Sequence, residues 1–333
     1  VPAVFPPLTK ADANARATRL DLAKWLVSKE NPLTSRVAVN RFWQQFFGVG
    51  LVKTSYDFGT QGDMPSHPEL IDWLATHFQQ SGWNTKELVK LLVCSKTFKQ
   101  ESRVTPELYR LDPENRLYAR APRFRLDAEQ IRDNALYVSG LMNMEMGGKG
   151  VKPYQPDNIW EPVAFGGSNT QNYKRDNGAA LYRRSIYNFF KRTAPPPFMV
   201  NFDAPNREQF CTKREKSNTP LQALQLMNDV QHIEAARVMA QRMIEVSEAT
   251  FADRVTFAYR AILSRTPSDR EVQVLETQLK ANLSHYQREP ELAKKLIGLG
   301  ESKASEKVDV SELAAYTLIA NTLLNLDETV TRN

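Results

Sequence analysis

Four stretches of the chain repeat one pattern: SHPELIDWL, NTKELVKLL, RTPSDREVQVL and NTPLQALQLM. Each has, as its first or second residue, a short polar residue with Glu, Asp or Gln three positions later, and three of them carry Pro close to it. Ser66, Asn84, Thr266 and Thr219 therefore read as helix N-caps, with Glu69, Glu87, Asp269 and Gln222 as their partners. The capping oxygen accepts from a backbone N–H that the helix leaves unpaired, and the third residue reaches back to the cap. Pro loses nothing in a first turn whose N–H would have had no partner. Helix starts this frequent point to a helical chain.

The runs behind these starts keep helical spacing. Leu221, Leu224, Met227, Val230, Ile233, Ala236 and Ala240 step by three or four, as do Leu70, Leu74 and Phe78. A wider stripe of Leu33, Val37, Trp43, Phe46 and Phe47 stops at Gly48. The spacing predicts helices near 14–29, 33–47, 67–80, 85–98, 127–142, 220–245, 251–264, 267–286 and 311–325. Residues 286–310 read as a surface loop. Segment 143–218, broken by Gly147, Gly148, Gly150, Gly166 and Gly167 among others and by the run Pro195–Pro197, reads as irregular, with one short strand expected at RRSIYNFF. A stretch that long inside a compact domain is more often functional than accidental. The fold expected is mainly α: a multi-helix globular domain with a long irregular, loop-rich insertion and at most a short strand pair. Its parts would be a linker over 1–16, a helical block over 17–142, the irregular segment 143–218 and a second helical block over 219–333, the blocks sharing one core. The opening VPAVFPPLTK reads as the Pro-rich linker of a longer protein.

Composition excludes some functions. The net charge is +6, but the basic residues are spread along the chain without an arm or an aromatic–basic signature, which argues against nucleic acid as the ligand. No apolar run has the ~18–20 residues of a membrane span. Two cysteines, Cys94 and Cys211, form no C-x-x-C, so no zinc-ribbon or haem-attachment motif is present. Cys94, inside LVKLLVCSKTF, reads as a buried, inert thiol; a disulfide to Cys211 stays open. No H-E-x-x-H or H-x-x-x-H spacing occurs, and no metal site is expected.

Several residues are candidates for chemistry. His67 and Glu69 suit an acid/base pair, since His titrates near neutrality, although Glu69 also reads as a capping partner. Arg41, polar in an aromatic helix, suits bidentate binding of a carboxylate or sulfate, or an ion pair with Asp57 or Asp133. Glu129 and Asp133 lie one turn apart on one helix face, fit for a hard cation, a split of acid and base roles, or a salt-bridged surface. In PYQPDNIWEPVAFGGSNTQNY, Tyr154, Asp157 and Trp160 suit sugar recognition, or the aromatics simply pin the loop. Asp203 and Arg207, in FDAPNRE, are the most credible polar pair and would meet if that segment turned helically. Cys211 beside Lys213 and Arg214 lacks a nearby His to act as its base.

The longer motifs resemble a family. NPLTSRVAVNRFWQQFFGVGLVKTSYDFGTQGDMPSHPELIDWLA, DPENRLYARAPRFRLDAEQIRDNALYVSGLM, LYRRSIYNFFKRTAPPPFMVNFDAPNRE, NTPLQALQLMND and the ending ANTLLNLDETVTRN are similar to the family catalogued as domain of unknown function 1553. The likeness runs from about Ala17 onward. The chain departs from the pattern before NTPLQAL, where KREKS stands in place of consecutive arginines, which weakens a precise arginine clamp there. The resemblance implies the C-terminal part of a large exported protein of Planctomycetes and related bacteria, periplasmic, at the cell surface or extracellular. Its upstream domains would include a cytochrome c domain, and sulfatase-like genes would lie nearby. It assigns no reaction and no catalytic residues.

The leading expectation is a domain that binds or processes a polysaccharide, with a sulfated glycan among the partners. Asp203 and His67 would be its catalytic residues, and Arg207, Arg41, Trp160, Asp157 and Tyr154 would hold substrate. The alternatives are an electron-transfer accessory to a separate cytochrome c domain, and a structural or assembly domain. No cofactor is expected in this segment; haem would sit only in an upstream domain.

Overall fold

A computed structural model describes residues 7–8, 16–246 and 249–332. Most of the linker expected over 1–16, and the first two residues of the helix expected over 14–29, lie outside the described residues. The chain divides into two compact units, residues 1–124 and 125–332.

The first unit contains α1 (Arg19–Leu26), α2 (Thr34–Phe47), α3 (Pro68–Gln80), α4 (Thr85–Cys94) and α5 (Pro106–Leu111). Its core forms where the apolar stripes of α2, α3 and α4 meet: Val39, Trp43, Ile71, Leu74, Phe78, Leu88 and Leu92 are all buried. Trp43 stacks on Phe47 with ring centroids 4.0 Å apart, and its indole N–H donates to the Tyr118 hydroxyl at 2.9 Å. Asn40 is fully buried and serves the loop after α2: its amide accepts from Val52 N–H (2.9 Å) and donates to Val52 O (3.0 Å). Gly50 permits that approach, since a Cβ there would meet the Asn40 amide at 2.6 Å.

The second unit contains α6 (Ala128–Ser139), α7 (Pro197–Asn201), α8 (Pro220–Asn228), α9 (Val230–Ile244), α10 (Phe251–Leu263), α11 (Asp269–Arg288), α12 (Pro290–Ile297), α13 (Val310–Leu324) and α14 (Asp327–Val330). α9 and α13 form its centre. Ala235, Ala236, Ala240, Ala314, Ala315 and Ala320 are fully buried, and such small side chains let the two helices approach closely. A helix as apolar on all sides as α13 is one that belongs in an interior. The only strands among the described residues are β1 (Phe124–Arg125) and β2 (Thr331–Arg332), which pair.

The fold is mainly α, as the sequence predicts. Several local expectations change. α3 is capped at His67 rather than Ser66, because Pro68 occupies the first helical position. α11 starts from Ser268, not Thr266: Ser268 accepts from Glu271 N–H and Glu271 reaches back to Ser268 N–H at 2.7 Å. The single helix expected over 220–245 is two, divided at Asp229, whose carboxylate caps α9 by accepting from the N–H groups of Gln231 (3.0 Å) and His232 (3.1 Å). Leu221, Leu224 and Met227, expected in the core, face outward, while Gln222 and Leu226 turn inward. RRSIYNFF forms a 3-10 turn at Ser185–Tyr187 and only isolated bridges, Asn143 with Arg183 and Val151 with Asn188. The stretch 286–310 is not merely a surface loop. It contains α12, and Gly300 (φ +87°) seats its backbone on the buried Glu234, where a Cβ would lie 2.3 Å from the carboxyl carbon. Cys94, expected to be buried, is exposed at the end of α4, and both thiols are free.

One ion cluster ties the end of α10 to α11 and α14. Arg265 donates to Glu271 (2.7 and 3.1 Å) and to Glu328 (2.7, 2.9 and 3.1 Å). The Arg265 hydrogen bonds, against a smaller opposing effect of burial and with help from Ser268, lower the Glu271 carboxyl from 4.5 to about 2. Its folded value lies below its unfolded value, so this contribution is complete above about pH 4.5 and is lost as pH falls toward 2. The urea midpoint of the protein is expected to drop across that window, and to drop less steeply in Glu271→Gln. Superimposable pH profiles for the two proteins would remove the cluster as the source.

Candidate functional site

The irregular segment 143–218 is held by side chains from the helices around it. Arg132 of α6 donates to Gln231 Oε1 (2.6 Å), Leu181 O (2.8 Å), Arg183 O (2.9 Å) and Ser185 Oγ (3.0 Å). Asp133 beside it accepts from Ser185 N–H at 2.8 Å. These bonds fix residues 181–185 along α6.

The result is an open groove of about 610 Å³. One wall is the outer face of α6, where Glu129, Asp133 and Tyr137 repeat every four residues and Gln130 and Asn134 stand beside them. The other wall holds Met142, Met144, Arg184 and Ile186. Tyr137 is 65% exposed, so its ring is available. The opposite face of α6, with Ile131, Ala135 and Leu136, is buried, which fixes the direction in which the polar row points. Gly140, in the left-handed region at φ +88°, ends the helix and turns the chain toward Met142.

Both groove carboxylates have partners. Burial alone would raise the Glu129 carboxyl, but the Arg214 guanidinium, donating at 2.6 and 3.2 Å, holds it below the usual range. Asp133 lies 3.7 Å from Arg132 and 4.0 Å from Arg184. A general acid working near neutral pH needs a raised carboxyl, and Glu129 moves the other way. The geometry suits accepting hydrogen bonds more than delivering a proton.

An enclosed cavity of about 20 Å³ lies nearby, lined by Arg132, Tyr154, Asn188, Asp229 and His232 among others. It has room for about one water and none for a substrate. His232 Nδ1 is 3.5 Å from Asp229, and its ring stacks on Phe198. Burial would raise the Asp229 carboxyl, yet His232 and the two capped N–H groups hold it below its ordinary value. This His–Asp pair belongs to the start of α9.

The residues singled out in the sequence are dispersed. Arg41 and His67 belong to the first unit: Arg41 is exposed on α2, and the His67 ring lies 3.0 Å from Ser66 Oγ and 5.4 Å from the Tyr118 centroid. The other five belong to the second unit. Asp203 accepts from the N–H and the hydroxyl of Ser217, both at 2.7 Å, and so closes the base of loop 203–217. Gln222 extends this clasp, donating to Ser217 Oγ (3.0 Å) and Asn201 O (2.8 Å). Arg207 does not pair with Asp203; its guanidinium lies over the Phe190 ring at 4.4 Å. Trp160 is 1% exposed, with Tyr173 at its edge and the ammonium groups of Lys152 and Lys191 over its ring. Tyr154 accepts from Glu301 N–H at 2.7 Å, and its hydroxyl is pushed up to about 12, first by burial and then by Glu234. Asp157 is exposed on its turn. The groove residues Gln130, Asn134, Tyr137 and Arg184 were not among the sequence candidates. The signal for Tyr137 was the extension of the Glu129–Asp133 spacing by one more turn, and Gln130 and Asn134 follow those two carboxylates by one position each.

Among the described residues no group of three or more His, Cys, Asp or Glu is placed to hold a metal ion, and no helix is long and apolar enough to cross a membrane. No curated protein and no solved structure matches the chain. The model of the family PSD1, protein of unknown function (DUF1553), matches residues 18–279, well over half of the sequence, and the chain belongs to that family.

Proposed function

We propose that this protein is a polysaccharide-binding domain of a larger exported bacterial protein, and that the α6 groove is its carbohydrate subsite. The observation that carries the reading is the row of Glu129, Asp133 and Tyr137, flanked by Gln130, Asn134 and Arg184, along one open groove. Sugars offer C–H faces to an aromatic ring and paired hydroxyls to planar carboxylate, amide and guanidinium groups, and this groove supplies both. Its openness suits a chain passing through rather than a small molecule enclosed. The depressed Glu129 carboxyl favours binding over hydrolysis. Export, and a haem domain elsewhere in the same polypeptide, belong to this proposal through the family resemblance.

The test is affinity electrophoresis and calorimetry against a panel of neutral, uronate-containing and sulfated polysaccharides. Tyr137→Ala removes an exposed ring and leaves the fold intact; a stacked ring is worth on the order of 1 kcal/mol, so affinity is expected to fall about five- to tenfold. Absence of binding across the panel, or equal binding by Tyr137→Ala, would end the reading. A second reading, an assembly role, is favoured by the outward row of Leu221, Leu224 and Met227 on α8.

A further inference from the structure

The first unit carries a second concave site, between the end of α2 and residues 102–124. It has a volume of about 480 Å³, within the ~300–1,000 Å³ typical of small-molecule pockets. Phe47, Tyr118 and Phe124 give it an apolar side. Gly48 (φ +79°) allows the Phe124 ring to seat there, because a Cβ would come within 2.8 Å of it. Three arginines, Arg103, Arg120 and Arg123, line the other side. The carboxylate on that wall, Glu114, is engaged by Lys53 at 2.8 Å.

Arg120 and Asn115 of this lining each have one buried polar atom without a partner among the described residues. Arg120 is 9% exposed; its Nη2 donates to the carbonyls of Asp112 and Pro113, both at 3.0 Å, but its Nη1 donates to nothing. Asn115 donates through Nδ2 to Arg120 O at 2.8 Å, which fixes the orientation of the amide and leaves Oδ1 without a donor. A buried charged donor and a buried neutral acceptor, five positions apart in sequence and on two residues of one pocket lining, ask for opposite things: an oxyanion for Arg120 and a hydroxyl for Asn115.

We propose that this pocket binds a hydroxylated organic anion of the sugar-acid class, its carboxylate on Arg120 Nη1 and one hydroxyl on Asn115 Oδ1. The apolar side takes the carbon skeleton, and exposed Arg103 draws the anion in. The site is independent of the α6 groove, and either can fail without the other.

Calorimetry on the whole protein with D-galacturonate and D-gluconate tests it, with D-glucose and inorganic phosphate as controls. The sugar acids are expected to bind at least tenfold more tightly than either control. Arg103→Glu, a surface change, should weaken them about tenfold, Arg120→Lys should do the same, and Tyr137→Ala in the other unit should leave them unaltered. Glucose binding as tightly as galacturonate would overturn the role of the oxyanion, and phosphate binding as tightly would reduce the pocket to an adventitious ion only. Binding by no probe, or equal binding by Arg103→Glu, would overturn the proposal, and Arg103→Glu decides the matter even if Arg120→Lys fails to fold.

Discussion

Replacing Arg132 with Met is expected to lower the stability of the second unit by about 3–5 kcal/mol, the range for removing one partner of a buried charged network. Arg132 is 4% exposed, and its four acceptors are the side chains of Gln231 and Ser185 and the carbonyls of Leu181 and Arg183. The carbonyls matter most. Residues 181–185 form no ladder with a neighbouring strand, so without the guanidinium two buried main-chain acceptors lose a charged donor. Burial lowers the guanidinium to about 10, against the supporting charges of Asp133 and Asp229, so it stays protonated at neutral pH. Arg132→Lys should recover only part of the loss, because an ammonium is a point donor and cannot span acceptors arranged around a planar fork. For a unit of this size the drop corresponds to roughly 6–20 °C in the unfolding midpoint, at about 2–4 °C per kcal/mol. Arg184→Ala, on the solvent side of the same segment, should shift it little. A measured loss below about 1 kcal/mol for Arg132→Met would mean that segment 181–185 is held by something else.

The helices were legible because their determinants are local. Thr219, Pro220 and Gln222 form the expected capping box, and Asn84 caps α4 through Glu87 N–H. Register was harder. RTPSDRE contains two overlapping frames, and the one that forms places Glu271 within reach of both Ser268 and Arg265. Which side of a helix turns inward was also hidden. Periodicity on α8 marks Leu221, Leu224 and Met227 as one face, but Gln222, bonded to Asn201 O and Ser217, draws the other face inward. For the same reason FDAPNRE looked like a site: Asp203 closes a loop by bonding Ser217, fourteen residues away. The groove was half legible. Glu129 and Asp133 stand out by spacing alone, whereas its second wall depends on Arg132 meeting main-chain carbonyls, which carry no mark in a sequence.

Trp160→Ala is expected to cost about 3–5 kcal/mol, the range for deleting a large buried aromatic, and to loosen residues 151–191 before the rest of the unit. The indole is the brace of that stretch. Tyr173 packs edge-on at 4.9 Å and donates its hydroxyl to Pro153 O, while Lys191, 4.9 Å from the ring centroid, donates to Thr170 O at 2.8 Å. Removing the ring therefore releases contacts on both sides of the turn that holds Asp157. Hydrogen exchange should show faster opening of 151–191 in the variant, with the α9–α13 centre unaffected at low denaturant. Trp160→Phe should cost much less than its lost volume suggests, because it also removes a buried indole N–H that has no acceptor among the described residues. The same pair of variants separates bracing from recognition. If Trp160 only braces, Trp160→Phe keeps polysaccharide affinity while Tyr137→Ala loses it. If Trp160 instead forms part of the sugar surface, Trp160→Phe will weaken binding at an unchanged unfolding midpoint, and the carbohydrate subsite must then be moved from α6 to the loop that Trp160 anchors.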